Sequence, residues 1–395
     1  MEGIGFAANY GLPLRVPDQR LHVHSLSWSN PAVEARAASG VLIGPSIRAG
    51  RRYRMPSQKT RTRSSSVLIT AMSGDAVLPQ SDVAKLAEAH EEYIREQCAA
   101  DPPRYLAATL RALELNGEKL CTEAGKREAD HPLVIPLARD EQTGAVSAGL
   151  LRWPTPPSGM DMPLVATSLV GPGQLCHIAN SCELFIRRQL AYYDFLELKE
   201  EFTEADKLAP GLYDAGQVMK SGMGLHKYLM LNVGPFMDVL QTLARGHLDR
   251  GDEQSALITC EKMAQSFPGW SHAHAFHARM LASMSDRELE ARDAARFAIH
   301  LPLMTLDEDL DKVASLAGFQ DPTSLGTMFR GLSLDPRESE VQEGKAPEQV
   351  SLDRAAYLLD RMVAERTAWN AEAKNELAEL YEQSRLPEVA RFVRL

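Results

Sequence analysis

Laid on itself at an offset of 34 residues, the chain matches Ala244 with Ala278, Arg245 with Arg279, Asp252 with Asp286, Ala264 with Ala298 and Pro268 with Pro302. A period of that length is one supersecondary unit: two helices and the turns that join them. A single helix pair cannot bury its apolar stripe alone, so such units must stack on their neighbours. Ala244 and Ala256 provide the small side chains needed where two helices cross closely. Gly251-Asp252 supplies the turn, and Pro268 ends the second helix and opens the next unit. A second unit reads His274, His277, Ala278, Leu281, Glu290, Ala294 and Pro302, with Ala291 one place later than a strict period requires. A partial unit follows in Leu377-Ala378-x-x-Tyr381, with Ala390 placed after Ala378 as Ala256 is after Ala244.

This pattern resembles the tetratricopeptide superfamily over residues 235–302 and again over 369–395, although both early units lack the aromatic consensus positions. The resemblance implies a mainly α chain, a tetratricopeptide-like array of α-α hairpins over 235–395. It also implies a concave groove lined by the first helix of each pair. The groove positions are then Gln241, Arg245, His272 and Arg279. Two arginines at equivalent places suit an acidic segment or a peptide C-terminus. The bland alternative is that both arginines are solvated or pair with nearby acids, as exposed cations commonly do. The lysine and asparagine clamp of chaperone-binding members is not present.

Ahead of the array the pattern changes. Residues 73–130 read as a helical hairpin, stopped at Asp101-Pro102-Pro103 and again at Asn116-Gly117. Residues 131–173 read as a small α+β region with a short β-hairpin. Its two apolar runs, from His131 and from Ala145, flank the turn Asp140 to Gly144, and Met162 to Val170 is a candidate third strand. Everything from Gln174 to 234 reads as helices packing on the array, with Ile178 and Cys182 on one long helix. Farther on, Thr305-x-x-Glu308 has the form of a capping box and Asp321-Pro322 of a second helix start. Arg337 to Lys345 reads as a charged loop, and Pro347 to Ala364 as an amphipathic helix.

Charge separates the chain into two parts. Residues 1–74 hold ten Lys/Arg against three acids, and the whole chain carries −10, which leaves −17 on residues 75–395. From Ala35 to Gly74 there is no acid, and Arg and Ser are frequent. That composition is expected of an organelle transit peptide, disordered over 1–72. Early glycines and Pro13 break any basic amphipathic helix, and Ile69-Thr70-Ala71 has the form of a stromal processing motif. Both favour the chloroplast. A basic nucleic-acid-binding arm is the alternative reading of the same residues. The five cysteines form no CxxC pair, so a disulfide framework or structural zinc is not expected. No stretch reaches 18 consecutive apolar residues, which excludes a helical span.

Gly344-Lys345-Ala346-Pro347 with Leu358-Leu359-Asp360 is similar to a plant and algal family of chloroplast helical-repeat proteins. So are His131-Pro132-Leu133-Val134 and Leu151-Arg152-Trp153-Pro154-Thr155. Candidate chemistry is thin beside this. His272, His274 and His277 lack the i, i+4 spacing of a helical zinc site. Asp307 to Asp311 begins like a calcium loop, but Lys312 takes the glycine position and Gly318 the closing acid. Cys176-His177 and Cys182 are tied to no acid or hydroxyl by any motif. Catalytic, cofactor and metal residues are therefore expected to be none. The expectation is a non-enzymatic protein-binding factor in the stroma or on the stromal face of the thylakoid, with no cofactor and a protein partner. It would serve assembly, stabilisation or regulation of a photosynthetic or other plastid complex. The rivals are a small-molecule binder or enzyme built on 131–200, and an organellar RNA-binding repeat, which the acidic body disfavours.

Overall fold

A computed structural model of the chain describes residues 79–127, 130–319 and 344–395. The expected transit peptide, the Asp321-Pro322 helix start and most of the Arg337 loop lie outside them. Two helices, α1 (Gln80–Glu96) and α2 (Leu106–Leu115), lead into five strands: β1 (Lys119–Leu120), β2 (Val134–Arg139), β3 (Val146–Leu151), β4 (Leu164–Thr167) and β5 (Leu175–Ala179). The strands pair in sequence order, all antiparallel. The β2–β3 turn is set by Asp140, whose Oδ1 accepts from the amides of Gln142 and Thr143 at 3.0 and 2.8 Å, a side-chain-closed turn.

The expected short hairpin is thus a five-stranded meander, and the reason its extent was hidden is burial. Leu133, Val134, Val146, Leu151, Val165 and Leu175 face one core, while Ile135, Leu137, Ala148, Leu150, Leu164 and Ala179 face another. A sheet covered on both sides reads as apolar runs rather than as clean alternation. Strand β5 also corrects the expectation of helix from Gln174 onward. Its burial alternates from Leu175 to Ala179, and the helix starts only after Ser181, whose hydroxyl accepts from the Leu184 amide.

One face of the sheet is covered by α1, α2, α3 (Cys182–Phe195) and α4 (Lys199–Asp206). The short α5 (Gln217–Ser221) and α6 (Leu225–Tyr228) extend that layer. On the other face lie α7 (Met237–Asp249), α8 (Glu253–Ser266), α9 (Ser271–Ala282) and α10 (Glu288–His300), then α11 (Leu310–Leu316) and α12 (Pro347–Ala364). Helices α13 (Ala371–Gln383) and α14 (Pro387–Arg394) close the described chain. Helices α7 and α9 begin 34 residues apart, and Ala244 and Ala278, both buried, are the eighth residue of each. The second helices, α8 and α10, begin 35 apart. The extra residue lies in the turn. Asp286 takes the left-handed conformation of Gly251, at φ 61° and 76°, while Asp252 caps α8 through the Ser255 amide. The sequence match of Asp252 with Asp286 is therefore one of letters, not of structural position.

The array is keyed to the sheet by Trp270, fully buried at the head of α9. Its indole N–H points at Met160 Sδ, 3.1 Å away. Trp153 and His177 meet its ring edge-on at 6.0 and 4.8 Å between centroids. Gly269 precedes it at φ +83°, where an added Cβ would also press on Pro157 at 3.0 Å. The last helices return to the first layer. Arg127, 1% exposed, stacks on Phe392 at 3.8 Å and donates to the carbonyls of Phe392 and Pro132. Lys374 Nζ donates to the Arg127 carbonyl at 2.9 Å. Arg391 donates to the Glu96 carbonyl at 2.8 Å.

The expected capping box at Thr305 is not formed. Thr305 sits in a short 3-10 turn and accepts from the Ser271 amide at 2.8 Å, while Asp309 caps α11. The same turn is held from α12, where Asp360 accepts from the Leu303 amide at 2.7 Å.

Two measurements check this core. Trp270→Ala should lower unfolding free energy by roughly 3–5 kcal/mol, the usual cost of emptying a buried indole site. Leu289→Ala, at a side chain 71% exposed, should stay within about 0.5 kcal/mol. Burial raises the Asp360 carboxyl from 3.8 to about 7. The folded state therefore holds a proton there that the unfolded chain has released. Its contribution is complete below pH 3.8 and lost as pH rises through about 7, because the unfolded form then binds fewer protons. Denaturation of Asp360→Asn, read against the parent between these limits, should lack that downward slope.

Candidate protein-binding face

The four groove positions come together on one face. Gln241 is the fifth residue of α7, and Arg245 and Arg279 are each the ninth residue of their helices. His272 opens the same face of α9. The Gln241 amide and His272 Nε2 meet at 2.6 Å. Burial is the first cause holding the imidazole below its ordinary pKa, with Glu308 and Asp307 pulling it up. A neutral ring accepts at Nε2 from the Gln241 amide N–H, which leaves the proton on Nδ1, facing Glu308 Oε1 at 3.7 Å.

Phe276, absent from the sequence-level set, is the platform of this face. The guanidinium carbons of Arg245 and Arg279 lie 5.1 and 5.3 Å from its ring centroid, within cation–π range. Burial, then the neighbouring Arg279, lowers the Arg245 pKa. Arg279 also lies 3.0 Å from Glu308 Oε1, an ion pair by distance, although no N–H is aligned for a hydrogen bond to that oxygen. Part of the bland alternative thus holds, since one arginine is paired with the chain's own acid.

Glu308 is held there by the β4–β5 loop. Its carbonyl accepts from Gln174 Nε2 at 2.9 Å, and Ser168 donates to the Asp307 carboxylate at 2.5 Å. The sequence reading gave Glu308 to a capping box and Asp307 to an incomplete calcium-loop pattern; nothing local shows that a loop more than 130 residues earlier fixes them beside Arg279. His274 and His277 do not join the cluster. His274 packs edge-on to Phe297 at 4.6 Å, and His277 lines a cleft between α8 and α10.

The Cys176, His177 and Cys182 trio is not assembled either. Cys182 belongs to the core on one side of the sheet and its thiol is pushed up to about 12 by burial. His177 sits against Phe267 and Trp270 on the other side and bonds Asn180 at 2.7 Å. A thiol so far from ionisation is a poor nucleophile.

Three family models cover nearly all of the described chain: PAB N-terminal over residues 88–232, PAB middle domain over 237–320 and PAB C-terminal domain over 327–395. The chain belongs to the PAB family. A curated relative, the Arabidopsis thaliana "Protein IN CHLOROPLAST ATPASE BIOGENESIS, chloroplastic", is 35% identical over 307 residues, spanning 77% of this chain and 90% of its own length. No solved structure matches the chain. In PAB terms, Gln241, Arg245, His272, Phe276, Arg279 and Glu308 all belong to the middle domain, which opens at Met237, the first residue of α7. The PAB N-terminal segment contributes Ser168 and Gln174. No helix among the described residues is long and apolar enough to cross a membrane.

The geometry around His272 can be checked by titration. Glu308→Gln removes the carboxylate that raises the imidazole pKa. The His272 ring signals should therefore titrate at lower pH in the variant, followed by NMR; an unmoved midpoint would place Glu308 away from the ring.

Proposed function

We propose that this protein is a binding factor without catalytic activity that helps assemble a chloroplast complex, and that the complex is the chloroplast ATPase. The single observation that carries this is the 35% identity, over 90% of its length, to a relative whose name places it in chloroplast ATPase biogenesis. In this reading 235–302 and 369–395 are tetratricopeptide-like units, acting in the stroma or on the stromal face of the thylakoid after residues 1–72 are removed as a transit peptide.

The Arg245–Arg279 face is the proposed contact for an acidic partner segment. Two guanidinium groups above a buried ring offer bidentate donors to carboxylates, the arrangement that suits acidic or C-terminal peptides. Both are the ninth residue of the first helix of two successive helix pairs, so each is carried on a helix rather than on a flexible loop.

The tagged full chain, expressed in chloroplasts and captured under native conditions, should bring down ATPase subunits identified by mass spectrometry. Arg245→Glu with Arg279→Glu should reduce that recovery on the order of tenfold, the scale of losing a central arginine contact, with unchanged circular dichroism. Recovery of ATPase subunits no higher than from an untagged control would overturn the reading. Equal recovery with the double variant would remove the groove from it.

A further inference from the structure

A second face of the same four helices is open. Helices α8 and α10 stand apart over α9 and leave a cleft of about 930 Å³. Its floor and walls include Leu257, Ile258, Leu281 and Ala294, and its rim carries Asp252, Glu253, Glu261, Glu290 and Asp293. Arg287 is the single arginine or lysine in the lining, and it is already held by Glu290 at 2.6 and 2.8 Å. None of the Arg245–Arg279 cluster lines this cleft.

Ile258 of this lining stands in water, and so do Leu289 and Phe297 elsewhere on α10. Ile258 is 56% exposed, Leu289 71% and Phe297 51%. On α10, Glu290, Ala294 and Phe297 follow the i, i+4, i+7 spacing of one helix face, with Leu289 and Asp293 beside them. On α8, Gln254, Leu257, Ile258 and Glu261 do the same. The result is a partly apolar trough whose lining on α8 runs from Glu253 to Glu261, about 12 Å, with acids along its edges.

We propose that this cleft docks a partner's amphipathic helix, apolar on one stripe and flanked by lysine or arginine. The inference rests on the protein-binding reading above but not on the identity of the complex. Shape and apolar exposure call for a helix laid in a groove, and the acidic rim selects its charge. A second copy of this chain would bring acid to acid, since residues 75–395 carry −17, and like charges brought together disfavour association. Residues 320–343 are themselves net acidic, with five Asp/Glu against two Arg. The basic residues 35–74 are interrupted by Gly40, Gly44, Pro45, Gly50 and Pro56, which deny them a continuous helical stripe. Phosphate-rich ligands are repelled by the same rim. The two faces then have opposite preferences: acidic segments at Arg245 and Arg279, basic helices between α8 and α10.

The test uses the full chain and a fluorescent model peptide of about 15 residues, a helix of roughly 22 Å, with Leu at i, i+3, i+4 and i+7 and Lys elsewhere. A second peptide replaces every Lys with Glu. The Lys peptide should raise anisotropy and lose affinity between about 50 and 500 mM salt, and the Glu peptide should not bind. Ile258→Asp, which adds negative charge but removes apolar surface, should weaken the Lys peptide at least about tenfold. Glu261→Lys with Asp293→Lys should do the same, and all three positions are exposed. Arg245→Glu with Arg279→Glu should bind it as the parent does. Equal binding of both peptides, or parental affinity in Ile258→Asp, would overturn the proposal. So would a dimer in sedimentation that Ile258→Asp dissolves, because the occupant would then be a second copy. Peptide binding without ATPase capture would leave the cleft standing and remove the ATPase.

Discussion

The structure depends on an aromatic joint between a sheet and a helix stack. Trp270 is the largest fully buried side chain among the described residues. It is gripped by Trp153 and Met160 from the segment between β3 and β4, and by His177 from β5. Burying an indole with its N–H directed at a partner adds a large apolar contribution without stranding a donor. Because Trp270 opens α9, its position fixes where the second helix pair starts. Gly269, in a conformation that only glycine adopts freely, lets the chain turn into that position beside Pro157.

From that joint the rest of the architecture follows as a matter of cover. A sheet buried on both faces needs a layer on each side. The helices up to α6 supply one layer and those from α7 to α12 the other. Here α13 and α14 come back to the first layer, and the contact is sealed by Arg127, a buried cation whose guanidinium rests on a ring and two carbonyls. A charge taken out of water is costly unless hydrogen bonds replace its hydration, and the two carbonyls supply part of that replacement. Helix α14 provides the ring and one carbonyl, and Pro132, ahead of β2, provides the other.

Closure also explains why the two sides of the repeat helices differ. On one side the β4–β5 loop fixes Asp307 and Glu308 beside His272 and Arg279, so the cationic face carries its own acid. On the other side nothing in the described chain crosses between α8 and α10, and their apolar positions stay in water beside a row of carboxylates. An identical helical period thus yields two surfaces of opposite charge, a consequence of what packs on each side and not of the period.

The sequence by itself pointed to helices that begin 34 residues apart, to Ala244 and Ala278 at matching buried positions, to the Asp140 turn and to the shared face of Gln241, Arg245, His272 and Arg279. These are local or periodic properties: helix geometry relates residues in the same and neighbouring units by fixed offsets, so spacing alone places them together. Phe276 was within reach of the same argument, since it lies four residues after His272 on α9. Only the tertiary structure decided that the apolar runs around 131–179 form five strands buried on both sides. It alone set Glu308 on the arginines, turned Thr305 from a cap into a partner of Ser271, and left the α8–α10 cleft open. Each of those joins residues far apart in the chain, whose pairing depends on which elements meet. A single sequence leaves many such meetings open, and the packing of large side chains such as Trp270 selects among them.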